Sequence, residues 1–200
     1  MQEFIEQKFN EWTEGLSETD ALVNVFNKTR DIPYHIDPEL FDLTVGPLKM
    51  LQENSGSCIP KHNLIGRMYE RMGLSVMYSV YSFHWKDLNV VYPSNILEEV
   101  KTMPGTYHLA CSVCIDRCWV LVDATWDLCL EKSGFPVNVE WDGFRDTVLA
   151  VEAIHKVDFE DAPSANQDIM KKMSDYSLPE KLALSRFSLE LNKWLEKIRN

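Results

Sequence analysis

Apolar residues recur every three to four positions at the start of the chain. Phe4, Ile5, Phe9 and Trp12 share one face, and Gly15 is a fitting stop, so the spacing predicts a helix over 2–15. Ser17, Glu18, Thr19 and Asp20 offer N-caps for a second helix with Leu22, Val23, Val25 and Phe26 as its apolar face. That helix must end before Pro33, because the residue ahead of a proline avoids the helical region. Residues 33–41 carry two prolines and read as a loop, 45–52 as a helical turn or more, and Asn54-Ser55-Gly56-Ser57 as a turn cluster. A third helix runs from Cys58 to about Met72. Pro60 is tolerated only in its first turn, Leu64, Ile65, Met68 and Met72 face one way, and Gly73 lies just past its end.

The period then changes from helical to alternating. Over 74–83, Val76, Tyr78 and Val80 lie on one face and Met77, Tyr81 and Phe83 on the other; apolar residues on both faces predict a buried central strand. The segments 107–115 and 118–125, rich in Val, Cys, Leu and aromatics, flank Asp116-Arg117 and predict a tight hairpin. This pair is not the Asn-Gly ideal, so a register slipped by one residue is the alternative. A further strand is expected within 147–159, with Val148, Ala150 and Glu152 alternating with Leu149 and Val151, and a small linker at 163–167. Ser177-Leu178-Pro179-Glu180 joins an N-cap, an early proline and a capping-box Glu ahead of a closing helix, whose stripe is Phe187, Leu191, Trp194, Leu195 and Ile198. Helices, then strands, then helices predict an α+β fold with an antiparallel sheet, as one domain over 1–200.

Composition narrows the partners. With 200 residues, 45% of them hydrophobic, the chain can bury a core without disulfide or metal staples. The formal net charge of −11 repels phosphate backbones and anionic bilayer surfaces, so neither nucleic acid nor a membrane is an expected partner. The longest apolar run, Cys118 to Val122, falls far short of the ~20 residues of a membrane span, and the first six residues carry no basic and apolar leader pattern. Five cysteines, an odd number without scaffold spacing, predict free thiols, a reducing compartment and a cytoplasmic location.

Cys58 carries the first candidate chemistry. It follows Gly56-Ser57 and opens a helix, where the dipole and unpaired N–H groups favour a thiolate and can hold a developing oxyanion. An inert buried thiol beside a turn is the alternative. If Ile115 pairs with Cys118, His108 lies opposite Thr125 and Asp123 opposite Ala110. Asp123 is then one diagonal step from His108 on the same sheet face, within reach of its ring. A carboxylate there can fix the tautomer of the imidazole; the alternative is an Asp bonded to the sheet edge and an exposed His. Together Cys58, His108 and Asp123 make a candidate nucleophile, base and orienter. Cys111 and Cys114 point to opposite strand faces, so they and Cys118 read as small apolar residues; no metal and no cofactor is expected. His62 reads as a surface residue on the Cys58 helix, His84 as a weaker rival base beside Asp87, and the turn 141–144 as a cap on the core.

The order Cys58, His108, Asp123 resembles the transglutaminase-like branch of the papain-type cysteine enzymes. The similar pieces are residues 25–34 ending in Ile32-Pro33-Tyr34, the turn Ser55-Gly56-Ser57-Cys58, the helix and strand around Gly73-Leu74, the histidine strand Tyr107-His108-Leu109, and Trp119-Val120-Leu121-Val122-Asp123-Ala124-Thr125. The resemblance implies a papain-like, transglutaminase-like core over 20–127, N-terminal helices packed on the sheet, and an extra C-terminal helical region over 164–200. It implies covalent acyl chemistry on a peptide or amide substrate: hydrolysis, transamidation or acyl transfer through a thioester. It also implies Gln52, six residues before Cys58, as an oxyanion partner. Leu109-Ala110 depart from the family's frequent Ala-Trp, and the extended nucleophile motif of arylamine acetyltransferases is absent. Since the family includes inactive members, a non-catalytic interaction module is the rival reading.

Overall fold

A computed structural model describes residues 2–200. The chain opens with α1 (Gln2–Thr13), α2 (Glu18–Arg30), α3 (Gly46–Glu53) and α4 (Cys58–Arg71). The Ser17 hydroxyl caps α2 by accepting the Asp20 N–H. Strand β1 (Val76–Phe83) follows, then α5 (Ser94–Thr102), the hairpin β2 (Thr106–Ile115) and β3 (Cys118–Val122), the strand β4 (Ala153–Phe159), and the helices α6 (Ala162–Ser174) and α7 (Leu178–Arg199). The order in the sheet is β3-β2-β1-β4, with every neighbouring pair antiparallel. The fold is therefore α+β, and β1 is a central strand.

Each face of the sheet carries its own helices. Val76, Tyr78, Val80, Leu109, Cys111 and Val113 form one core with α2, α4 and α6. Tyr81, Phe83 and Ala110 join a second core with Ile96 and Val100 of α5 and Phe187, Leu191 and Leu195 of α7. At Gly66, α4 comes so close to β1 that a Cβ would collide with the Tyr78 hydroxyl. A larger residue there would force Tyr78 or α4 to shift.

The hairpin adopts the unslipped register, with Ile115 opposite Cys118 and Cys111 opposite Val122. Both turn residues, Asp116 at φ 48° and Arg117 at φ 68°, take the left-handed conformation that a two-residue hairpin turn demands. Two expectations fail. The segment 163–167 is no linker but the first turns of α6: Asp161 caps the Ser164 N–H, and Pro163 sits where helical N–H groups need no partner. The strand expected within 147–159 begins only at Ala153. Residues 147–152 instead spend their donors elsewhere: Thr147 on the Leu121 carbonyl at 3.0 Å, Val148 on Asn138 at 2.7 Å and Ala150 on Asp123 at 2.8 Å.

Candidate active site

Cys58 is the first residue of α4, and Ser57 is its N-cap. A Ser at this position ordinarily accepts the N–H of the second or third helical residue. Here the third residue is Pro60, which has no N–H, and the Ser57 hydroxyl makes no capping bond. It is buried and unpartnered. The N–H groups of Cys58 and Ile59 also lie in the turn that no intrahelical acceptor serves. The Ser57 hydroxyl and the first N–H groups of α4 thus lie at the same helix start as Cys58.

His108 on β2 meets Asp123, just past the end of β3, with Nε2 at 2.8 Å from Oδ2. Both side chains are essentially sealed from water. Asp123 also accepts the Ala150 N–H at 2.8 Å on the same oxygen, and the Thr125 N–H at 3.1 Å and hydroxyl at 2.6 Å on the other. All four acceptor positions of the carboxylate are filled. Burial alone would raise the Asp123 carboxyl, but the charge and hydrogen bond of His108, the nearby His62 and Thr125 hold it below its ordinary value. Burial would likewise lower His108; the charge and hydrogen bond of Asp123, then those of Cys58, overcome it and lift the imidazole to about 10. With Nε2 committed to Asp123, Nδ1 is the ring nitrogen left for another partner.

The sequence reading placed His62 on the surface, and the structure corrects this. His62 is fully buried beneath the site. Its Nδ1 lies 2.8 Å from the Cys58 carbonyl, which can only accept, and its Nε2 accepts the Ala124 N–H at 3.1 Å. Both contacts require the same neutral tautomer, and burial pushes His62 down to about 4. The ring therefore couples the backbone of the cysteine helix to the loop that carries Asp123. Lys61 reinforces the joint. It is also fully buried, and its Nζ donates to the carbonyls of Arg30 at 2.9 Å, Thr125 at 2.9 Å and Ala124 at 3.4 Å. Burial lowers it to about 7. Hydrophobic periodicity hides both residues, since a Lys-His-Asn run reads as a solvated helix face. The available signal was the placement of Lys61 and His62 three and four residues after Cys58.

A cavity of about 600 Å³ opens over Cys58 and His108. Its far wall is α7, with Leu184, Phe187 and Asn192 among the lining residues. Asn192 grips Ile36 from both sides, accepting its N–H and donating to its carbonyl, each at 2.9 Å. Arg199 bonds the Tyr34 carbonyl at 2.9 Å and Asp127 at 2.6 Å, and Asp127 accepts the Tyr34 N–H at 2.8 Å. These bonds tie α7 to the Tyr34–Ile36 strap beside the sulfur.

Gln52 does not belong to this arrangement. It is exposed in the last turn of α3 and lies outside the cavity lining, so the oxyanion role implied for it is withdrawn. A helix ending at Glu53 carries its side chain away before the chain turns back to Cys58. Cys111 is buried in the core, Cys114 is half-buried and Cys118 is exposed. Among the described residues, no group of three or more His, Cys, Asp or Glu side chains is placed to hold a metal ion. None of the described helices is long and apolar enough to cross a membrane. His84 lies outside the cavity, whereas His35 lines it. Trp141 packs on Phe26 at 5.1 Å between ring centres, as a cap on the core.

No family model and no curated protein matches this chain. Among solved structures it is similar to one described as "a Putative Cysteine Protease from Cytophaga hutchinsonii", at 13% identity and a TM-score of 0.44 over 80% of this chain and 47% of that one. It is also similar to a "TGase", at 15% identity and a TM-score of 0.40 over 64% of this chain and 31% of that one. The chain thus spans less than half the length of either structure.

Proposed function

We propose that this chain is a cysteine-dependent acyl-transfer enzyme of the papain-like, transglutaminase-like kind, with its core over 20–127 and the helices of 164–200 as an addition. Cys58 attacks the carbonyl carbon of an amide, and the N–H groups at the start of α4 hold the oxyanion. His108, as imidazolium, gives its proton to the departing amine, leaving a thioester on Cys58. Water or a second amine then gives its proton to His108, attacks the thioester and restores the thiolate; the two outcomes are hydrolysis and transamidation. Asp123 keeps the imidazole oriented throughout.

The observation that carries this reading is the buried His108–Asp123 pair at 2.8 Å, on the floor of a cavity that also reaches Cys58. A structural ion pair needs no adjoining thiol at a helix start and no open cavity above it. The test is competitive alkylation with iodoacetamide, mapped by mass across all five cysteines. Cys58 is only 7% exposed, whereas Cys118 and Cys129 are exposed. Accessibility alone would make Cys58 slow. The proposal expects it to react fastest, and to lose that lead in His108→Ala. Cys58 reacting more slowly than Cys118 in the unaltered protein would instead support the non-catalytic module.

A further inference from the structure

The cavity also restricts what such a site accepts. Its walls are apolar: Ile36 and Phe41, Phe83 and Trp85, and Leu184 and Phe187 of α7. Apart from the imidazoles of His35 and His108, the ionisable carboxylate and ammonium groups in the lining are Asp37, half-buried, and Lys181, exposed, and each bonds a backbone group. Asp37 accepts the Glu39 N–H at 2.9 Å, and Lys181 donates to the Ser174 carbonyl at 2.8 Å. A charged substrate group held between these apolar side chains would lose its water there. Polar atoms without partners lie elsewhere in the lining: the hydroxyls of Ser57, next to Cys58, and of Thr106, two residues before His108, are buried and unbonded. A polar floor under apolar walls, enclosing about 600 Å³, is the arrangement of a site that orients a polar head and swallows an apolar body.

From this we infer that the cleft takes amides whose acyl side is a bulky, uncharged aliphatic or aromatic group, with α7 as its wall. The acyl carbonyl lies at the floor near Ser57 and the apolar group lies against Leu184 and Phe187. The inference rests on the acyl-transfer reading for the orientation of the amide, but the pocket's preference is measurable without any chemistry.

The test uses the full chain with Cys58→Ala and isothermal titration with acetamide, butanamide, hexanamide, 3-phenylpropanamide and the anionic succinamate. Each methylene buried against the walls should tighten binding about four-fold, so hexanamide should exceed acetamide by on the order of 100-fold. Succinamate should bind more weakly than butanamide. Leu184→Glu should cost hexanamide at least ten-fold. Ser185→Trp, at an exposed lining position, should shift the preference to shorter chains even if Leu184→Glu does not fold. Affinity independent of chain length, succinamate equal to or tighter than butanamide, or no binding of hexanamide up to its solubility limit would each overturn the inference. Alkylation of Cys58 in the unaltered protein separates the two ideas. A fast thiol without chain-length dependence removes only the apolar pocket, and a slow thiol with the dependence intact removes only the acyl-transfer reading.

Discussion

Replacing Asp123 by Asn is the conservative change for an orienting carboxylate, and in a triad it usually spares the fold. This structure predicts otherwise. Four donors converge on the carboxylate: His108, Ala150 N–H, Thr125 N–H and the Thr125 hydroxyl. An Asn side chain turns one oxygen into an NH₂ group. If the nitrogen takes the Oδ2 place, it faces the His108 ring and the Ala150 N–H; in the Oδ1 place it faces the Thr125 N–H. Hydroxyls and imidazoles can reorient, but backbone N–H groups cannot. In either orientation a buried backbone N–H is left against an amide N–H, which makes two unsatisfied donors. At roughly 1–3 kcal/mol for each unsatisfied group, the loss is about 2–6 kcal/mol, a large part of a total stability near 5–15 kcal/mol. For a domain of 200 residues that corresponds to a fall in Tm of roughly 4–24 °C. Urea unfolding and thermal melting of Asp123→Asn measure it directly. In the same variant, loss of the carboxylate charge should slow alkylation of Cys58 near neutral pH. A Tm within 1 °C of the unaltered protein would refute the four-donor account, and an unchanged alkylation rate would refute the orienting role.

Two further outcomes follow from neighbouring groups. His62 titrates at about 4 in the fold against an ordinary 6.5, so the unfolded chain binds its proton first and stability must fall as pH drops from 6.5 towards 4, by up to about 3 kcal/mol. His62→Gln should flatten that limb of a urea-unfolding pH series; an equally steep limb in the variant would show that another group drives it. His108 acts in the opposite window, its stabilisation complete below 6.5 and lost as pH rises through about 10. Ser57→Ala removes a buried hydroxyl that has no partner, so Tm should hold or rise while alkylation of Cys58 by an acyl-type probe slows. A fall of the 2–4 °C typical of a lost N-cap would mean that the hydroxyl caps α4 after all.

Much of this arrangement was legible in the sequence because it depends on short-range rules. The hairpin has two turn residues, so pairing Ile115 with Cys118 fixes every partner up the ladder, and side-chain alternation puts Asp123 on the face of His108. Pro60, Gly73 and the capping box at Ser177 mark helix ends for local steric reasons. What stayed hidden depends on contacts between distant segments. α5 carries only two fully buried residues, Ile96 and Val100, too few for a clear stripe. Lys61 and His62 look solvated until the carbonyls of Arg30, Ala124 and Thr125 and the Ala124 N–H are brought against them. The Gln52 assignment borrowed a spacing from a protease family, and spacing transfers only where the intervening backbone is the same. Here α3 and a left-handed Asn54 intervene.

The strap that Asn192 and Arg199 hold against Tyr34 and Ile36 has a consequence for biosynthesis. A nascent chain that has reached Phe159 already contains Cys58, His108, Asp123 and all four strands, but none of α7. At 5–20 residues per second, translation of the remaining stretch to Arg199 takes roughly 2–8 s. During that interval the thiol and its histidine exist without the wall that closes the cleft. On the acyl-transfer reading proposed above, order of synthesis therefore separates the making of the nucleophile from the making of its selectivity, and leaves a newborn chain open to small thiol-reactive compounds that the finished cleft would sort by shape.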